Sequence, residues 1–244
     1  MKKYILIILA TLIAMPLFAA ESTLKGRVSF SYTDAQGNTD EDDFKLSFDF
    51  TEQKNEKLKF GYKGSYLYSK DDNVKSADKK TFGFTSEFIK SKFDSCYLTL
   101  GYMKDEFSGY EQQITIGAGY SRYFIKEKDT EFKWSIGIDF TNEKYTDNTD
   151  FDEKWLKTGF DFKKTVAENI KVFATTHYYA PSEHASDNYR ADGTVGFVFY
   201  INPKFDMEMK YTVEYRQTPA TAENERTDRT FYTGLVYKIW VLQL

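Results

Sequence analysis

From Thr23 to the end of the chain the sequence alternates with a period of two. Rings and aliphatic side chains occupy one phase, and Lys, Ser, Thr, Asp or Gly the other. Such alternation belongs to β-strands with two unlike faces. Leu24, Val28, Phe30 and Tyr32 oppose Lys25, Arg27, Ser29 and Ser31, and Phe44, Leu46, Phe48 and Phe50 oppose Lys45, Ser47, Asp49 and Thr51. Farther on, Phe132, Trp134, Ile136, Ile138 and Phe140 oppose Lys133, Ser135, Gly137 and Asp139. Phe205, Met207, Met209, Tyr211, Val213 and Tyr215 oppose Asp206, Glu208, Lys210, Thr212, Glu214 and Arg216. Helical spacing fits none of these segments.

The pattern predicts twelve strands, near 23–33, 44–51, 58–69, 81–89, 96–103, 112–124, 131–141, 154–162, 170–179, 189–201, 205–216 and 229–240. Most come close to the roughly 9–11 residues that a tilted strand needs to cross a bilayer. Breaks after the odd strands are long (34–43, 70–80, 104–111, 142–153, 180–188, 217–228), and those after the even strands are short (52–57, 90–95, 125–130, 163–169, 202–204). Long loops at one end and tight turns at the other, with an even strand count, are the signature of an antiparallel up-and-down outer-membrane β-barrel with both termini in the periplasm. Pro181, Pro203 and Pro219 all fall in breaks, where no ladder hydrogen bond is lost. A soluble sandwich also alternates, but its apolar face rarely carries rings on every strand. The chain has 22 Phe, 19 Tyr and 3 Trp. In hydrocarbon every backbone donor needs a partner, and closing the sheet supplies it. Tyr32, Tyr62, Tyr66, Tyr68, Tyr102, Tyr178, Tyr189, Tyr215 and Tyr237 stand near segment ends, where an interfacial girdle belongs.

Lys2 and Lys3 precede an apolar run from Tyr4 to Phe18 that closes on Ala19 and Ala20. This reads as a secretory signal peptide over 1–20, leaving 21–244 as the barrel and placing it in the outer membrane of a Gram-negative-type bacterium. The alternative is an uncleaved anchor helix, for which the run is short.

The polar phase then lines the lumen. It holds the bases Lys25, Arg27, Lys45, Lys59, Lys63, Lys133, Lys157, Lys171, Arg190, Lys210, Arg216 and Lys238. Its acids are Asp49, Glu87, Asp139, Asp161, Asp192, Asp206, Glu208 and Glu214, and His177 shares the phase. The bases exceed the acids by four. Two readings follow: a network of ion pairs that fills a narrow interior, or a water-filled pore with mild anion preference for small ions or solutes. Gly61, Gly83, Gly101, Gly117, Gly119, Gly137, Gly159, Gly196 and Gly234 lie in the same phase. They would either widen a channel or, the commoner reason, permit the bends that closure needs. The outer breaks carry 21 acids against seven bases, with clusters at Asp34 and Asp40 to Asp43 and at Asp147, Asp150, Asp152 and Glu153. Neither cluster has the spacing of a calcium loop, so no metal site is assigned. A cation-bridged contact with lipopolysaccharide is the interaction such loops would make.

Little speaks for catalysis or a cofactor. One cysteine excludes a disulfide framework and a Cys-built zinc site, and Cys96 shares the apolar phase of Leu98, Leu100 and Tyr102. His177 and His184, the latter near Glu183, Ser182, Ser186 and Asp187, are the residues a lipase- or protease-type hydrolase would use, but they match no nucleophile motif. Acidic loops would repel nucleic acid.

The segment 105–124, DEFSGYEQQITIGAGYSRYF, and the ending 228–237, DRTFYTGLVY, resemble a family of bacterial outer-membrane proteins described as salt-induced, or YdiY-like, that carries a domain of unknown function. Phe107, Ser108, Gly109 and Tyr110, followed by Gly117, Gly119 and Tyr120, carry the likeness. The resemblance implies an outer-membrane barrel linked to salt or osmotic stress and supplies no catalytic residues. Barrels of this kind end on an aromatic recognised by the barrel-assembly machinery; here Ile239 takes that place and Trp240 to Leu244 run beyond it. The reading is therefore a non-enzymatic barrel, envelope-structural or a narrow pore.

Overall fold

The computed structural model describes residues 23–35, 41–71, 74–182, 188–219 and 225–242. The segment expected as a signal peptide, and His184 with its neighbours Glu183, Ser186 and Asp187, lie outside them. Twelve antiparallel strands run in chain order: β1 (Thr23–Ala35), β2 (Glu41–Asn55), β3 (Leu58–Asp71), β4 (Val74–Ile89), β5 (Asp94–Asp105), β6 (Tyr110–Lys126), β7 (Thr130–Tyr145), β8 (Asp150–Ala167), β9 (Ile170–Pro181), β10 (Arg190–Tyr200), β11 (Phe205–Arg216) and β12 (Thr227–Leu242). Each pairs with its neighbours in sequence, and β12 closes on β1 with Thr23 opposite Leu242 and Phe30 opposite Leu235. The closed ladder leaves no sheet edge to satisfy. β-Bulges fall toward strand ends, as at Gln53/Asn55, Met103/Asp105 and Thr165/Ala167, where extra twist can be taken up at a rim.

Burial is inverted relative to a soluble domain. Leu98, Ile116, Phe140, Phe231 and Leu235 are exposed, whereas Ser29, Ser95, Ser121, Asp139, Glu143 and Glu208 are buried. An aqueous solvent would not select such a surface, and acyl chains would. On this face the indole Nε1 of Trp134 donates to Thr158 Oγ1 at 2.9 Å, so the ring stands in an apolar setting with its polar atom satisfied. Outward tyrosines stack at the rims, as in Tyr178, Tyr189 and Tyr215 with successive centroids 5.9 and 5.4 Å apart. Cys96, a free thiol, lies on this outward phase beside Leu98.

The strands are longer than the alternation of rings suggests, and the breaks correspondingly shorter. The end that carries the odd-to-even connections, here the loop end, has 36–40, 72–73, 106–109, 146–149, 182–189 and 217–226 between strands. The opposite or turn end has 56–57, 90–93, 127–129, 168–169 and 201–204. The expected contrast between long and short connections is thus largely confined to the last two loops. The expectation stopped each strand where rings stop; the ladder continues because a wall standing beyond the hydrocarbon can carry polar side chains on both faces. Asp150, Asp152 and Glu153, expected in a loop, are in β8. In the turn that does remain, Asp147 accepts from the Thr149 hydroxyl at 2.6 Å and from its backbone N–H at 2.9 Å, which holds its carboxyl below the ordinary carboxylate range.

The inward glycines divide into two groups, and curvature is not what separates them. A Cβ on Gly119 would run into the Tyr97 ring and the Ile136 carbonyl, and one on Gly137 would lie 2.7 Å from the Tyr97 hydroxyl. Gly159 is likewise covered by His177, Gly196 by Phe173 and Gly234 by Tyr232. These glycines make room for rings from the wall itself. Gly83 has nothing within 4 Å and opens onto the lumen. Gly119→Ala is therefore expected to destabilise the barrel by about 1–3 kcal/mol, and Gly83→Ala to be nearly neutral, as read by urea unfolding of the protein folded in lipid vesicles.

Candidate functional site

The inward phase of the strands makes two zones of different character. In the turn-end half, charges are tied to one another along the inner wall, within a strand or between strands one or two apart. Arg27 on β1 reaches over β12 to Glu208 on β11 at 2.5 Å, and Lys210 Nζ bonds the same carboxylate at 2.8 Å. Lys238 pairs with Asp206 at 2.6 Å and Lys133 with Asp161 at 2.8 Å. Lys59 pairs with Glu87, which also accepts from Ser95 Oγ at 2.6 Å. Tyr97, Tyr123, Phe173 and Tyr232 fill the same inward phase, and the Tyr232 ring takes the ammonium of Lys210 at 4.7 Å. The carboxylates of Glu208, Asp206 and Glu87 are largely covered, so stripping them of their bases is costly and their pairs give this half a fixed shape.

The loop-end half holds a chamber of about 510 Å³. Thr81, Thr85, Thr99, Thr115, Thr141, Thr194 and Thr212 give it hydroxyl walls, Gly83 and Gly101 give it width, and Lys79, Lys157, Arg190, Arg216, Asp139, Asp192 and Glu214 give it charge of both signs. Its most ordered corner is built round Glu143, which has no exposed surface. Arg190 grips both carboxylate oxygens, at 2.6 and 3.2 Å, while Tyr145 OH donates to Oε2 at 2.7 Å and Gln113 to Oε1 at 2.5 Å. The Arg190 guanidinium lies 4.2 Å over the Trp155 ring, and that of Arg216 lies 5.0 Å over Tyr110, whose hydroxyl accepts from Arg216 Nη1 at 2.9 Å. Lys79 spans the mouth between Asp105 at 3.4 Å and Glu214 at 3.6 Å.

The sequence-predicted residues distribute between these zones. Arg27, Lys59, Glu87, Lys133, Asp161, Glu208 and Lys210 form the ion pairs along the turn-end inner wall. Lys157, Asp139, Asp192, Arg190, Glu214 and Arg216 line the chamber. His177 Nδ1 meets Asp192 Oδ2 at 2.8 Å, and its ring packs over Gly159. Lys63 and Asp49 face each other at 3.8 Å and remain largely open to solvent. Lys45 lies 5.2 Å over the Tyr232 ring, and Lys25 lies 5.0 Å over Trp240 at the turn end. Lys171, one residue into β9 at the turn end, is exposed and outside both zones. Of the residues that organise the chamber, Glu143, Trp155 and Tyr145 carry no sequence assignment, and Tyr110 enters the sequence reading only through the family likeness. Glu143 continues the inward parity of Ser135, Gly137, Asp139 and Thr141, and Trp155 that of Lys157 and Asp161. Following that parity past the last outward ring was the signal available.

A protein-family model described as a protein of unknown function, DUF481, matches residues 28–239. The chain belongs to that family. The DUF481 chain is also similar to the uncharacterized protein YdiY of Escherichia coli, 21% identical over 176 residues that make up 72% of this chain and 68% of the relative. Among solved structures it is similar in fold to the NanC porin, with a TM-score of 0.52, 10% identity, and coverage of 91% of this chain and 100% of that one. The COG4313 outer membrane channel from Pseudomonas putida has the same TM-score at 9% identity, covering 91% and 96%. At that identity the likeness concerns the fold alone: the DUF481 chain has the architecture of outer-membrane barrels.

Proposed function

We propose that this barrel resides in the outer membrane, loop end outward, and provides a narrow, non-enzymatic passage for small hydrophilic ions and solutes. The observation that carries the reading is the loop-end chamber, hydroxyl-lined and charged, leading to a turn-end half narrowed by ion pairs. Its fold neighbours include a porin and an outer-membrane channel by name, which supports the reading without fixing a solute. A slow, narrow passage suits a role in salt or osmotic stress. Its partners are outer-membrane lipid and lipopolysaccharide at the outward wall, and the barrel-assembly machinery during insertion.

Recording from the purified protein in planar bilayers tests the proposal. Small discrete conductance steps are expected. Replacing the principal pair together with the second cation it holds, Arg27→Ser and Lys210→Ser with Glu208→Ser, removes both bases along with the carboxylate they share and is expected to raise the step size severalfold. A protein that stays electrically silent, and remains so with the pair removed, is a structural barrel and not a passage.

A further inference from the structure

The chamber contains hydrogen-bonding groups that the chain itself does not use. Trp155 is 2% exposed, yet its indole N–H has no partner among the described residues; Asp139 is 4% exposed, and its Oδ1 has none either. The two are cross-strand partners on β8 and β7, so a buried orphan donor and a buried orphan acceptor stand side by side in the wall of one cavity. Leaving such groups unsatisfied is costly, and their pairing is the rule. The corner above them also has an excess of positive charge. Arg190 and Arg216 are direct cross-strand partners, and like charges set opposite one another repel. Glu143 bonds Arg190 directly and acts on Arg216 only at longer range. Arg216 is bonded to the Tyr110 hydroxyl, and among the described residues no carboxylate lies within ion-pair distance of it; Glu214, two residues back, is turned to Lys79 at 3.6 Å. The Nε of Arg190, stacked on Trp155, is a further buried donor without a partner.

From this juxtaposition we propose that the chamber is a binding site for a small hydroxylated carboxylate. The carboxylate takes the free face of the Arg216 guanidinium and the donors at Trp155 and Arg190. The ligand hydroxyls meet the threonine walls, while Asp139 Oδ1, packed over Gly117, keeps the chamber floor polar without touching the ligand. A planar guanidinium matches a carboxylate two bonds at a time, which a halide cannot exploit. A neutral sugar would meet the threonine hydroxyls but leave Arg216 uncompensated. This inference deepens the reading of the lumen as a solute passage by naming what it holds.

Titration calorimetry on the folded protein in detergent, with gluconate, glucose, inorganic phosphate and chloride as separate probes, tests the site without relying on conduction. Saturable gluconate binding is expected, weakened at least about tenfold in Arg216→Gln and again in Trp155→Phe, which keeps every charge. Each variant is first shown to be folded by its heat-modifiable electrophoretic mobility. Equal affinity for glucose, preference for phosphate over gluconate, or gluconate affinity unchanged in both variants would each overturn the proposal. Gluconate binding in a protein that conducts nothing would keep the site and discard the passage.

Discussion

Glu143→Gln is expected to lower the unfolding free energy of the barrel by about 3 kcal/mol, the largest effect of any single polar substitution in the lumen. The wild-type carboxylate is fully buried and takes four hydrogen bonds, two of them from Arg190. The amide keeps the shape but not the charge, and it leaves two neighbouring arginines, Arg190 and Arg216, with no counter-charge between them. Urea-induced unfolding in vesicles reads the loss. Adding Arg190→Met is expected to recover part of it, because removing both members of a buried pair costs less than removing one. A Glu143→Gln protein as stable as wild type would mean that the corner is hydrated and that its geometry contributes little.

A comparably large effect is expected from a charge placed on the outward wall. Ile116 on β6 is exposed and belongs to the ringed phase, while its neighbour Thr115 points into the chamber and shares a hydrogen bond with Thr141 at 3.1 Å. Ile116→Arg should cost about 2–4 kcal/mol of stability in the bilayer, because the guanidinium must be carried into hydrocarbon. Thr115→Arg should cost about 1 kcal/mol at most, the worth of the lost hydroxyl pair, since the chamber has water and space for the new side chain. Were the outward face of this closed wall wetted by water instead of acyl chains, Ile116→Arg would cost little and the order of the two variants would be reversed.

Much of this architecture can be read from single residues. Phe30, Leu98, Ile116, Phe140 and Leu235 announce a lipid-facing wall because they alternate with Ser, Thr, Gly and charged residues that no apolar environment would accept unpaired. Strand number, order and closure follow from counting such segments. Strand ends do not, because past the hydrocarbon the two faces stop differing and the periodic signal fades while the hydrogen-bonded ladder goes on; Glu143 and Tyr145 are hidden for that reason. The interior was only half legible. Parity places Arg27, Glu208, Arg190 and Arg216 inside, but which of them meet depends on the stagger between strands that are not sequence neighbours. Arg27 meeting Glu208 across an intervening strand, or Arg216 bonding Tyr110 on the far wall, needs the closed barrel to be seen. The glycines illustrate the same limit: Gly119 and Gly83 look alike in sequence, yet one lies under a tyrosine ring and the other faces open space.

The central claim is that the ringed face is solvated by acyl chains and the charged face looks inward. Site-directed spin labelling along β6 tests it most directly. In a Cys96→Ser background, single cysteines at positions 113–118 are labelled, and collision with oxygen, which partitions into lipid, is compared with collision by a polar nickel chelate. The account predicts oxygen maxima at positions 114, 116 and 118 and minima at 113, 115 and 117. Uniform accessibility along the segment, or the opposite alternation, would contradict it.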